Sequence, residues 1–101
     1  SLADNQTVPY SIELHQNYPN PFNPTTTIKY DISEQIQVKI SIYDMMGHEV
    51  KFITNEFQSP GVHSVIWDAR NNKGKPVSAG LYLYQVSAGN FQKFKKMVLL
   101  K

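Results

Sequence analysis

Three histidines, His15, His48 and His63, are the side chains here best suited to moving protons near neutral pH. None stands beside a nucleophile in a recognisable motif, and Ser, His and Asp occur together by chance in any domain of this size. Cysteine is absent, which removes thiolate chemistry, disulfides and sulfur-ligated metals. The chain has no glycine-rich phosphate loop and no paired carboxylates set among apolar residues. No catalytic residue is therefore expected, and no cofactor.

Asp68-Ala69-Arg70-Asn71-Asn72-Lys73-Gly74 places three oxygen-bearing side chains in one stretch. A calcium loop needs oxygens at alternating positions and glycine at the sixth. Here Arg70 takes the third place and Lys73 the sixth, so two cations stand where ligands and the turn glycine belong. The expectation is no metal; Asp68 and the asparagines are expected to form Asx-turns and bind backbone amides.

Tyr18, Phe22, Tyr43, Trp67, Tyr82 and Tyr84 could form a platform for sugar rings, but aromatics on the alternating face of a strand more often belong to a core. Trp67 is expected in the core near Ile40 and Tyr82. Tyr18 and Phe22 are expected to plug the open end of the fold. Lys93, Lys95, Lys96 and Lys101 crowd one region, where lysine can blunt an exposed strand edge or offer a positive strip to a partner.

These residues need elements to hold them, and the pattern is of strands. Ile28, Tyr30 and Ile32 alternate with Lys29 and Asp31; Val38, Ile40 and Ile42 alternate with Lys39 and Ser41; Tyr82, Tyr84 and Val86 share a face. A short first strand is expected across Tyr10–His15. Asp44-Met45-Met46-Gly47 reads as a turn into a strand over Val50–Phe57. Ser59-Pro60-Gly61 reads as a further reversal, into Val62–Asp68, and Asn71–Pro76 as a polar loop. Ala88-Gly89-Asn90 turns the chain into a last strand over Phe91–Leu100, where Val98 and Leu100 are candidate core residues.

No stretch carries a sustained helical period with caps. About seven short strands with turn signals every ~8–12 residues predict an all-β, immunoglobulin-like antiparallel β-sandwich. A flattened barrel is the alternative.

At 101 residues the chain makes one domain, expected over residues 10–101 after a polar linker at 1–9. Hydrophobic residues at 41% against 18% charged place it among globular rather than disordered chains. A net charge of +2 is too small to suggest a nucleic-acid partner. No apolar run approaches a membrane span, so no direct insertion is expected, nor any leader within this sequence. A monomer is expected.

Gln16-Asn17-Tyr18-Pro19-Asn20-Pro21-Phe22-Asn23-Pro24-Thr25-Thr26 is the most distinctive segment. Its three prolines exclude helix and inner strand and hold Tyr18, Asn20 and Asn23 extended or turned. A rigid lead-in thus delivers the chain into the β-branched run that follows. This segment resembles the opening motif of the type A C-terminal sorting domains of the type IX secretion system. Val38–Gly47, Trp67-Asp68 with Gly80–Tyr84, and Lys96–Lys101 resemble the later blocks of that family, in the same order. Ala69 departs from it, since glycine is common at that place.

The resemblance implies a domain that directs a larger, preceding cargo across the outer membrane of a Gram-negative-type bacterium, by way of the periplasm, to the surface or the medium. Its implied partners are the type IX translocon, a shuttle protein and a surface sorting peptidase. The implied recognition residues are Pro19, Asn20, Pro21, Gly80, Tyr82, Lys96, Met97, Val98, Leu99, Leu100 and Lys101. Two other readings stay open. One is a carbohydrate-binding or adhesion module. The other is a structural cap similar to the Ig-like domains of flagellar hook-capping proteins, which the Tyr43–Gly47 and Trp67-Asp68 blocks also resemble.

Overall fold

The computed structural model describes residues 11–101, so the linker expected at 1–9 and the contribution of Tyr10 lie outside the described residues. Seven strands follow in order: β1 (Ile12–Leu14), β2 (Thr26–Ile32), β3 (Ile36–Asp44), β4 (Glu49–Gln58), β5 (Gly61–Trp67), β6 (Gly80–Ala88) and β7 (Phe91–Leu99). They form a three-stranded sheet ordered β1-β2-β5 and a four-stranded sheet ordered β4-β3-β6-β7. Every pairing is antiparallel. The result is the expected sandwich, and two separate sheets exclude the flattened barrel. No described helix is long and apolar enough to cross a membrane.

The alternation in the sequence decides which side of each strand is covered. Ile28, Tyr30 and Ile32 of β2 face Val38, Ile40 and Ile42 of β3 and Tyr82, Tyr84 and Val86 of β6 in one core. Side chains on successive strand residues point to opposite faces, so one alternating set is buried together. At the turn after β3, the Asp44 carboxylate accepts hydrogen bonds from the amide of His48 and, more weakly, that of Met46, which holds its pKa below the ordinary carboxylate value. Gly47 completes the turn at φ +87°, a conformation that suits glycine.

Ser59-Pro60-Gly61 turns the chain into β5 as expected, and the turn passes between sheets: β4 pairs with β3 in one sheet, whereas β5 pairs with β2 in the other. The proline marks a change of sheet, as Ser33–Gln35 does between β2 and β3. The expectation for β7 needs correction: its core residues are Met97 and Leu99, while Val98 is half-buried and Leu100 is 50% exposed. Cross-strand partners share a face, and Met97 lies opposite the core residue Tyr82. A run of four apolar residues fits either register, so local alternation could not choose between them.

Candidate functional site

The proline lead-in and the end of β7 lie against one another along an outer edge of the four-stranded sheet. The Phe22 amide donates to the Val98 carbonyl at 3.0 Å, and the Leu100 amide donates to the Phe22 carbonyl at 2.9 Å. Asn20 adds its side chain, with Oδ1 accepting from the Val98 amide at 2.9 Å. Gln16 Nε2 donates to the Lys96 carbonyl at 2.8 Å. The lead-in thereby acts as a short extra strand for Lys96–Leu100, parallel to β7 at Phe22. Prolines cannot build a regular ladder there, so side chains of Gln16 and Asn20 supply part of it.

A buried polar knot fixes the start of this segment. Asn17 is buried, and its Nδ2 donates to the Pro19 carbonyl at 3.1 Å and to Thr26 Oγ1 at 3.0 Å. Thr26 Oγ1 in turn donates to the Pro19 carbonyl at 2.8 Å. The Tyr84 hydroxyl accepts from the Asn17 amide at 2.8 Å and donates to the His15 carbonyl at 2.7 Å. Burial pushes the Tyr84 hydroxyl up to about 12. The Tyr18-Pro19, Asn20-Pro21 and Asn23-Pro24 bonds are cis.

Aromatic packing carries the lead-in into the core. The Phe22 ring lies 5.9 Å from Trp67, and Trp67 meets Tyr82 edge-on at 5.4 Å. Trp67 Nε1 donates to the Arg70 carbonyl, and the Tyr82 hydroxyl donates to the Ser78 carbonyl. Phe22 is therefore the plug that its sequence suggests. Tyr18 is not, because its side chain is 79% exposed while only its backbone pairs with Thr27.

Of the expected recognition residues, the structure gathers Pro19, Asn20, Pro21, Lys96, Val98 and Leu100 at this edge. Met97 and Leu99 form core beneath it. Tyr82 is a core aromatic, and Gly80 takes φ +146°, a backbone region closed to most side chains, which accounts for glycine there. Lys101 is exposed beyond β7. Gln16, Asn17, Thr26 and Tyr84 stand within the resembling blocks but are not among the recognition residues expected from them. Asn17 ahead of the prolines carries a further signal, since a buried Asn at a turn must satisfy its amide.

The other chemical candidates are dispersed. His15 Nε2 lies 3.4 Å from Asp31 Oδ2, His48 Nδ1 lies 3.5 Å from Asp44 Oδ2, and His63 stacks on Tyr30. In the loop after β5, Asn71 Oδ1 accepts from the amides of Lys73 and Lys75, and Asn72 Oδ1 accepts from the Phe52 amide. Asp68 departs from the expected turn role and lies 3.9 Å from Arg70 Nε. Ala69 is buried at φ 62°, the left-handed conformation that explains why glycine suits this place.

Glu13, His15 and Asp31 bring their ligating atoms within 4.8 Å of one another on the outside of the three-stranded sheet. The β1–β2 register, which sets Glu13 opposite Asp31, and the His15–Asp31 contact account for that closeness. Phe22, Trp67, Tyr82 and Tyr84 are all buried, so they offer no platform to a sugar.

A family model described as the FlgD Ig-like domain matches residues 21–91. Among solved structures, the chain is similar to dimeric latent PorU from Porphyromonas gingivalis, with 20% identity over 96% of this chain and a TM-score of 0.76. It is similar also to PorZ, described as an essential surface component of the type IX secretion system of Porphyromonas gingivalis, with 22% identity over 87% and a TM-score of 0.59. FlgD from P. aeruginosa matches with 18% identity over 78% of this chain and 67% of its own, at a TM-score of 0.57. The chain spans 10% of the PorU chain and 11% of the PorZ chain. At these identities the likeness is one of fold. No curated protein matches the chain significantly.

Proposed function

The chain belongs to the FlgD Ig-like domain family, and from that premise we propose that it is a sorting domain for type IX secretion. It would carry a covalently linked cargo across the outer membrane and perform no chemistry of its own. The observation behind this reading is the edge at which two resembling blocks meet. Gln16–Phe22 and Lys96–Leu100 are far apart in sequence and hydrogen-bonded in space. Most of both blocks lies outside residues 21–91, the part shared with the family model. The family match therefore does not account for these two blocks, which resemble the sorting domains instead, and that favours sorting over a structural cap. The fold it shares with PorU and PorZ supports the same direction.

The test is a reporter fused ahead of the whole chain in a bacterium with a type IX system. The fusion should reach the medium or the cell surface, and an otherwise identical reporter without the domain should stay in the periplasm. Lys96→Gln with Lys101→Gln alters two exposed side chains and should reduce export without changing the melting temperature. Periplasmic retention of the intact fusion would overturn the proposal. Deleting residues 97–101 is the poorer test, because it removes Met97 and Leu99 from the core.

A further inference from the structure

The lead-in covers only the second half of the β7 edge. Its hydrogen bonds use the Lys96 carbonyl, both backbone groups of Val98 and the Leu100 amide. Backbone groups of alternate residues on a strand point the same way. The amide and carbonyl of Gln92 and of Phe94, with the Lys96 amide, therefore face outward too. Among the described strands, none is hydrogen-bonded to β7 on this side, although β1 of the other sheet approaches it.

We propose that this open half, Gln92–Lys96, accepts an acidic extended peptide segment as an added strand. Two observations fix the chemistry of the guest. Residues 80–101 contain Lys93, Lys95, Lys96 and Lys101 and not one Asp or Glu, so the hairpin is basic in a chain whose overall charge is only +2. The two sides of the edge also differ. Lys93 and Lys95 lie opposite Val86 and Tyr84 and project on the core side of the sheet, whereas Phe94 lies opposite Gln85 and projects on the outer side. Phe94 is 62% exposed and, with Tyr43, Leu83 and Gln85, lines an outer-face hollow of about 210 Å³. A fitting segment thus carries carboxylates at alternate positions, set against Lys93 and Lys95, and an apolar side chain between them, set against Phe94. The lysines that keep two copies of this edge apart by repulsion favour such a strand.

This surface deepens the sorting reading by naming an edge and a chemistry for its partner, but it is tested in solution without export, so either can fail alone. The probe is a peptide alternating glutamate and valine, titrated into the full chain, with one alternating lysine and valine as control. Amide resonances of Gln92, Phe94 and Lys96 should shift with the glutamate peptide alone, and affinity should fall roughly tenfold or more in ~0.5 M salt. Gln92→Pro removes an outward donor while leaving the β6 ladder intact, and should abolish binding with the melting temperature kept. Lys93→Glu with Lys95→Glu should transfer preference to the lysine peptide. Absence of shifts, shifts centred on β4, or an unchanged preference after charge reversal would each overturn the proposal.

Discussion

Tyr84 does two jobs with one hydroxyl, holding the Asn17 amide and the His15 carbonyl at the point where β1 gives way to the lead-in. Tyr84→Phe keeps the ring and leaves a buried amide without its acceptor. The expected cost is about 1–3 kcal/mol, read from a denaturant midpoint. The same hydroxyl makes stability depend on pH. Its folded pKa of about 12 lies above the ordinary 10.0. Burial favours the neutral form, so the contribution is fully present below pH 10.0 and is lost as pH rises towards about 12. The wild type should lose roughly 2 kcal/mol across that window through this group, and Tyr84→Phe should lack that component of the loss.

Among the elements, β7 separates what sequence can specify from what it cannot. Leu99 is core and Leu100 is half-exposed, so Leu99→Ala should cost about 2–5 kcal/mol and Leu100→Ala about 0.5 kcal/mol or less. Equal losses in chemical denaturation would mean that the register is wrong. Strands β2, β3 and β6 were legible because Ile28–Ile32, Val38–Ile42 and Tyr82–Val86 alternate cleanly, and each pattern is complete within its own strand. The parity of β7 was not, because Met97 to Leu100 is apolar throughout and only pairing with β6 fixes its face. The site followed the same rule. The prolines announced a rigid lead-in, but its docking on β7 rests on bonds spanning some of the longest separations in the chain, Gln16 to Lys96 and Asn20 to Val98. No local signal encodes such a pair.

The aromatic series Phe22, Trp67 and Tyr82 links the lead-in, β5 of one sheet and β6 of the other. Loss of either sheet exposes the indole, so the whole molecule should unfold in one cooperative step. Trp67 fluorescence and far-ultraviolet circular dichroism should give coincident denaturation curves; separated midpoints would show that the sheets come apart independently. The edge joining lead-in to β7 also has a meaning in time. The ribosome makes Gln16–Phe22 early and Lys96–Leu100 last among the described elements. Throughout synthesis, the lead-in waits for a partner that does not yet exist, and the core waits for Met97 and Leu99. A chain interrupted before Lys96 has neither a sealed core nor a completed edge. Folding of this domain thereby reports that synthesis has passed Leu99, the last core residue of β7.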